Sequence, residues 1–515
     1  MSEIEFLFVL LVFAAGLVRI ADLVRVPYPI VLVIGGLAIG LVPGLPDIVL
    51  EPELVFLVFL PPLLTAAGFY ASPHELWGER RALGFLSLGL VLATIVTVAV
   101  VAHELVAGLP WAACFVLGAV VAPTDPVAAI ATFRRAGVPD RVRLVVEGES
   151  MINDASALVA FGIALEVAQG GSFDALEAFG KFLLSATGGI AVGLVAGWLE
   201  VRIVRRINER PLAILWTVLG AYGSYIGAEE LGVSGVLACV TAGLYLGWNS
   251  HRAFDADTRL SGVAFWEVLE FILNALIFIL LGLQLPALTD ELRGELPFGD
   301  VVVAGLVISA TLIGLRLLAQ FIPGVRTADG WREKVIVGWS GMRGAVSLAA
   351  ALSVGLAVTG RPQIVVLTFV VILITLVGQG LTLPALLKAL HVREERSWSP
   401  QEAMARLEAA QSALDRLEEL EAEFDGEVPE AVVRLRELYR MRFRMCQDAL
   451  TGAQDDRRRL REARYRYGTL RRELIGVERE ALLTLRNEGR LRPEVLRPIE
   501  RELDLEEARL SAASA

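Results

Sequence analysis

The sequence predicts an all-α polytopic membrane protein, thirteen transmembrane helices followed by a cytoplasmic helical tail. Three observations predict it. Of 515 residues, 55% are hydrophobic and 20% charged, where soluble domains run roughly 45–50% apolar and about 25% charged. The charge is unevenly placed, with 47 charged residues in the last 115 and 58 in the first 400. The first part also breaks into apolar segments near the roughly 20 residues that span a bilayer core. The expected division is a transmembrane domain over 1–395 and a cytoplasmic α-helical domain over 396–515.

The same arithmetic excludes several classes. Disorder needs low hydrophobicity. Cys114, Cys239 and Cys446 are far apart, and His74, His103, His251 and His391 are scattered. Neither a disulfide framework nor a thiolate or histidine metal site follows. A net charge of −11 argues against nucleic acid as a partner. No phosphate-binding loop is present, so the chain reads as neither an ATP-driven pump nor an enzyme, and no cofactor is expected.

In order, the apolar segments are 4–21, 27–44, 53–70, 82–102, 111–132, 144–168, 176–200, 211–228, 232–248, 263–285, 299–322, 333–358 and 363–390. Glu3 and Glu5, with no Lys or Arg before the first segment, argue against a signal peptide. Loop charges test the count, because Lys and Arg stay on the cytoplasmic side. One alternating set of loops holds 20 basic residues, among them Arg134, Arg135, Arg141, Arg143, Arg202, Arg205 and Arg206. The other set holds Arg293, Arg361 and Lys181 and is otherwise acidic. This places the N-terminus outside and the tail in the cytoplasm of a plasma-membrane protein.

Charge at membrane depth costs roughly 2.5–3.5 kcal/mol per residue on insertion scales and usually marks function. The fifth segment contains Ala122-Pro123-Thr124-Asp125-Pro126. Two prolines remove backbone donors and disfavour helix on either side of Asp125. The helix should break there beside a carboxylate, as ion sites of secondary transporters do; a simple proline kink is the alternative. The sixth segment opens Glu147-Gly148-Glu149-Ser150-Met151-Ile152-Asn153-Asp154. Helical spacing puts Glu147, Ser150 and Asp154 on one face and Glu149 and Asn153 on the next. This is an oxygen cluster suited to a hard monovalent cation, although Glu147 can equally pair with Arg141 or Arg143 at the edge.

The twelfth segment, Gly338-Trp339-Ser340-Gly341-Met342-Arg343-Gly344, holds three glycines that weaken a helix. It also carries Arg343, a buried charge in need of a partner. Arg316 adds a second arginine, one that can alternatively snorkel to the surface. Two arginines against Glu149, Asp125 and Asp154 suggest a closed charge network. Breaks in the fifth and twelfth segments, each followed by a further helix, suggest two inverted six-helix repeats, 1–6 and 8–13, with discontinuous crossing helices. Gly189, Gly193 and Gly197 read as a packing face. Glu267, Glu270 and Asn274 line an ion path or bond across helices.

The motifs at 122–126, at 148–154 and at Gly341-Met342-Arg343-Gly344-Ala345-Val346-Ser347, with the 29-residue step from Asp125 to Asp154, resemble the monovalent cation:proton antiporter-1 family of NhaP-like bacterial sodium/proton exchangers. Phe265-Trp266-Glu267 with Asn274 and Gly282 is similar to its bacterial branch. The resemblance covers all thirteen segments and leaves out the tail. It implies a homodimer with a moving six-helix core. It implies that Asp154, Asp125, Ser150 and Thr124 coordinate the transported cation, and that Glu149 pairs with Arg343 or Arg316. Asn153-Asp154 resembles the electroneutral exchangers.

The mechanism expected is competition. A carboxylate reached from one side at a time holds either a proton or a cation, most simply Na+, with K+ or Li+ as alternatives. A cation channel and an ion-sensing membrane protein are the rival classes; no filter-like repeat supports the first. In the tail, Leu407, Ala410, Leu414 and Leu417 follow a coiled-coil spacing. Gly426 and Pro429 mark a turn before helices near 430–450, 455–486 and 493–510. The tail reads as a solvated bundle or as a regulatory module. The run Arg457-Arg458-Arg459 is offset by Asp455 and Asp456.

Overall fold

Lipid offers no hydrogen bonds, so a chain this apolar satisfies its backbone within helices. The computed structural model describes residues 3–24, 26–42, 55–171, 173–284, 298–392, 400–422, 429–451, 469–482, 484–485 and 493–514, and every regular element among them is helical. Parts of the loop-charge pattern (Arg25, Arg293, Arg393, Arg396) and the Arg457–Arg459 run lie outside the described residues.

The chain divides into two units, Met1–Glu394 and Glu395–Ala515. The first contains α1 (Glu3–Val24), α2 (Tyr28–Gly40), α3 (Leu60–Tyr70), α4 (Arg80–Leu105), α5 (Trp111–Val121) and α6 (Val127–Ala136). It continues with α7 (Asp140–Ala168), α8 (Ala175–Val204), α9 (Arg210–Glu230), α10 (Gly235–Trp248), α11 (Ala256–Leu283) and α12 (Phe298–Ala319). It ends with α13 (Trp331–Trp339), α14 (Ala345–Leu352) and α15 (Arg361–Leu390). Each apolar segment read from the sequence coincides with a helix or, for the fifth and twelfth, with two half-helices. Among the described residues, seven helices are long and apolar enough to cross a membrane by length and composition.

Two of the breaks follow from the residues predicted to cause them. Pro123 and Pro126 bracket the non-helical stretch between α5 and α6, and the glycine-rich 341–344 stretch separates α13 from α14. Three π-helical turns, Val55–Phe59, Phe85–Gly89 and Ile374–Gln379, were not foreseen. The last of them, in α15, lies just before Pro384, where proline removes a donor and crowds the preceding turn.

Small residues set the packing. Gly189, Gly193 and Gly197 of α8 leave no room for a side chain against Ser234, Ala238 and Ala242 of α10, the close packing their spacing predicts. Gly243 and Gly247 of α10 lie on the backbone of Thr65 and Phe69 in α3. Helices α3, α8, α9 and α10 thus form one bundle, with α2 against α11 beside it. The other group is α4, α5, α7 and α12 with the half-helices α13 and α14 and with α15. Its buried core includes Leu86, Leu117, Val120, Val142, Val145, Ile308, Ile336 and Phe369, and this group carries the polar motifs.

In the second unit α16 (Pro400–Ala422) packs against α17 (Glu430–Thr451). The seam predicted from spacing is the inner face: Ala403, Ala410 and Leu417 are buried, and Leu407 and Leu414 are half-buried. Arg436 and Glu421 bridge the two helices at 3.0 Å. Helix α18 (Pro493–Ser514) meets the 469–482 helix through Arg471–Glu506 at 2.7 Å.

Candidate functional site: crossed broken helices and the face of α7

The two breaks are hydrogen-bonded to one another. The Asp125 N–H donates to the Met342 carbonyl at 2.8 Å, and the Arg343 N–H donates to Thr375 Oγ1 at 3.1 Å. The crossing sorts the helix ends by sign. Asp125 accepts from the Val127 N–H at 2.9 Å and its carboxylate lies against Gly344, so it sits at the N-terminus of α6 and beside that of α14. A helix N-terminus carries about half a positive charge, and a C-terminus about half a negative one. On the other side, Arg343 donates through Nε to the Val121 carbonyl at 2.7 Å and through Nη1 to the Gly341 carbonyl. Val121 is the last residue of α5, and Gly341 lies in the break just past the end of α13. Arg343 is 3% exposed and is matched by helix ends rather than by a carboxylate.

Glycine is required at both ends of this break. A Cβ at Gly344 would fall on the Asp125 carboxylate, and one at Gly341 would fall on the stem of Arg316. Removing side chains here lets a carboxylate and an arginine reach the crossing.

Helix α7 presents its polar residues to the first break. Ser150 Oγ donates to the Thr124 carbonyl at 2.8 Å, and Asn153 Nδ2 donates to Thr124 Oγ1 at 2.7 Å. Asp154 is 7% exposed, and its Oδ1 has no hydrogen-bond partner. Glu149, buried to 1%, is held by both Nη atoms of Arg316, with Nη2 to Oε2 at 2.7 Å. Bidentate guanidinium–carboxylate pairs of this kind are strong and directional. Ser87 Oγ of α4 adds a bond to the Glu149 carbonyl at 3.1 Å.

The predicted residues therefore separate. Thr124, Ser150 and Asn153 are bonded together at the first break, which holds Asp125, and Asp154 follows Asn153 on α7 within range of the Asp125 charge. Of the two arginines open as partners for Glu149, Arg316 takes it. Arg316 is buried rather than snorkelling, because Gly341 makes room for its stem. The expected network closed by both arginines reduces to the Glu149–Arg316 pair. The edge pairing offered for Glu147 is not formed: Arg141 binds Glu79 at 2.8 Å and also Asp329, while Arg143 binds Asp140.

Sequence reading missed Ser87, Thr375 and Glu200. Thr375 is the middle one of three threonines, Thr368, Thr375 and Thr382, spaced seven apart in a long apolar run. Glu200 is 3% exposed with neither carboxyl oxygen bonded, and it packs on Gly220; it stands at the end of the seventh apolar segment, where the sequence gives it no distinguishing mark. Among the described residues no three His, Cys, Asp or Glu side chains converge on a point. A monovalent cargo needs no such cluster, since hydroxyl and carbonyl oxygens serve as well.

Comparison with known proteins follows the same lines. Residues 7–389 match the family described as sodium/hydrogen exchanger, transmembrane. The chain is 32% identical over 397 residues to the Na(+)/H(+) antiporter ApNhaP of Aphanothece halophytica, covering 76% of this chain and 75% of that one. It is 32% identical over 450 residues to a sodium, potassium, lithium and rubidium/H(+) antiporter of Bacillus pumilus, covering 82% and 66%. It shares its fold with the sodium proton antiporter MjNhaP1 of Methanocaldococcus jannaschii, at a TM-score of 0.61 and 22% identity over 75% of this chain and 98% of that one. The chain thus belongs to the sodium/hydrogen exchanger family, multi-pass membrane proteins that exchange cations for protons and are not enzymes.

Proposed function

We propose that the protein exchanges one Na+ for one H+ by alternating access, with Asp154 as the group that carries either load. The observation behind this is charge matching. Asp125 is matched by the helix N-termini beside it, Arg343 by carbonyls at two helix C-terminal ends, and Glu149 by Arg316. Among the carboxylates at the crossing, only Asp154 has a buried oxygen with no donor; Glu200, likewise unbonded, lies on α8 in the other bundle. A single unmatched charge takes up one proton or one monovalent cation. Ser150, the Thr124 carbonyl and hydroxyl, and Asp125 supply the remaining oxygens, while Asn153 orients Thr124. A neutral loaded site crosses the low-dielectric barrier, and an empty charged one does not, which couples the two fluxes.

The same reading takes thirteen crossings in two inverted repeats, with the N-terminus outside and the 396–515 unit cytoplasmic, as the loop charges favour. It takes a homodimer in the lipid bilayer. The outward face of α8 supports this: its apolar stretch is only 17% buried within one chain. K+ as cargo is the second reading, favoured by the Bacillus pumilus relative whose name includes potassium, lithium and rubidium.

The test is purified protein in proteoliposomes with an internal pH dye. Addition of Na+ should alkalinise or acidify the lumen according to the gradient, and Asp154→Asn should abolish the response. Sodium movement without any pH change would refute exchange.

A further inference from the structure

A small cavity lies behind the ion site, between α4, the first break, α7 and α12. It has a volume of about 10 Å³ and is lined by Thr94, Glu149, Asn153, Arg316 and Arg343 with the apolar Leu86, Leu90, Val91 and Ala122. That volume is close to what one water requires, and a buried water also needs two to four polar partners. The lining supplies them. A guanidinium has five N–H donors. Arg343 gives Nε to Val121 and Nη1 to Gly341, which leaves Nη2 without a protein acceptor. On the acceptor side, Asn153 Oδ1 has no protein donor although Asn153 is 1% exposed. The second arginine of the lining, Arg316, gives both Nη atoms to Glu149 and keeps Nε without a protein acceptor.

We infer that this cavity is a binding site for one ordered water, which accepts from Arg343 and donates to Asn153 Oδ1. The chemistry of the lining excludes a cation, since two guanidinium groups border it, and the volume excludes anything larger than water. The consequence falls on Asn153. Its amide has two ends, and only one orientation lets Nδ2 donate to Thr124 Oγ1. A water donor behind Oδ1 fixes that orientation, so the Thr124 hydroxyl accepts from the amide and keeps a remaining lone pair for a cation. Asn153 is in this account a positioning residue, tied through one water to the arginine that closes the two helix C-termini. This consequence rests on Thr124 being a cation ligand; the water site itself does not.

The first test is structure determination of the full-length protein in lipid nanodiscs at a resolution that shows ordered water. A peak within hydrogen-bond distance of both Arg343 Nη2 and Asn153 Oδ1 is expected. An empty cavity, or a direct Arg343–Asn153 contact that closes it, overturns the proposal. The second test fills the cavity with Thr94→Leu, with retained melting temperature as the check on folding. Loss of the peak should raise the KM for Na+ roughly two- to tenfold, the worth of one hydrogen bond, with kcat kept. An unchanged KM with the water expelled overturns the positioning role. Thr124→Val separates the two readings: if it keeps the wild-type KM, the ligand assignment of Thr124 fails while the water peak still stands or falls by itself.

Discussion

Arg316 reaches from α12 to grip both carboxylate oxygens of Glu149 on α7, across 167 residues of sequence. Both side chains are almost fully buried, at 4% and 1% exposed. Stranding one partner of such a pair typically costs about 3–5 kcal/mol. Arg316→Ala and Glu149→Ala should each lower the melting temperature in detergent and reduce expression. A double change to apolar residues of similar volume should recover much of that loss without recovering transport. Single variants that melt like wild type would show that the pair does not hold α12 to α7.

Arg343 should behave differently, because its partners are carbonyls of helix ends. Arg343→Lys keeps the charge but cannot span Val121 and Gly341 together, since lysine has no planar fork. We expect the lysine variant to fold with a melting temperature near wild type and to transport more slowly. Arg343→Ala should lose both. If Arg343→Ala melts like wild type, the helix C-termini do not need this charge.

Much of this was legible beforehand, and the limit has a physical origin. Pro123 and Pro126 mark their break by chemistry that acts within one or two residues, and so does the glycine run at 338–344. The face of α7 follows from a fixed helical period. The partner of Glu149 was not legible: Arg316 and Arg343 lie at comparable depth, and the choice depends on the angle at which two broken helices cross. The sorting of helix ends, positive at Asp125 and negative at Arg343, is likewise a property of the crossing. Glu200 was missed because a charge at the end of an apolar segment looks the same in sequence whether it points to water or to Gly220.

Gly344 offers a sharp steric test. An added methyl there meets the Asp125 carboxylate, and overpacking of this kind costs about 1–3 kcal/mol. Gly344→Ala should therefore weaken apparent Na+ affinity by roughly 5- to 140-fold at one decade per about 1.4 kcal/mol. Gly314→Ala is the control, since nothing lies within 4 Å of a Cβ there. Equal affinity in the two variants would show that Asp125 tolerates displacement.

The loop ends make a pH prediction. Arg141, at the start of α7, joins Glu79 and Asp329, and its guanidinium holds the Asp329 carboxyl below its ordinary value of 3.8. A depressed carboxylate contributes stability that is present above that ordinary value and is lost as pH falls through the folded one. Asp329→Asn should lower the melting temperature slightly at neutral pH, and the difference should vanish in acid below the lowered value. Asp329 is largely exposed, so the effect should also shrink with added salt. A difference that persists unchanged in acid would assign the effect to shape rather than to charge.

The last prediction is that exchange does not respond to membrane voltage. Every buried charge at the crossing except Asp154 is matched in place, and Asn153 adds none because an amide does not titrate. The site then alternates between Asp154 with a proton and Asp154 with Na+, two states of equal charge. One cation for one proton moves no net charge, so a transmembrane potential does no work on the cycle. The measurement uses proteoliposomes carrying a K+ diffusion potential set by valinomycin. The equilibrium pH difference reached against a fixed Na+ gradient should be the same at zero and at imposed voltage. Asn153→Asp, which places a second carboxylate beside Thr124, is the informative companion. If it restores voltage dependence while wild type shows none, position 153 sets the stoichiometry. A wild-type equilibrium that shifts with voltage would instead require a second carrier, and Asp125, half-buried at the two helix N-termini, would be the group to examine.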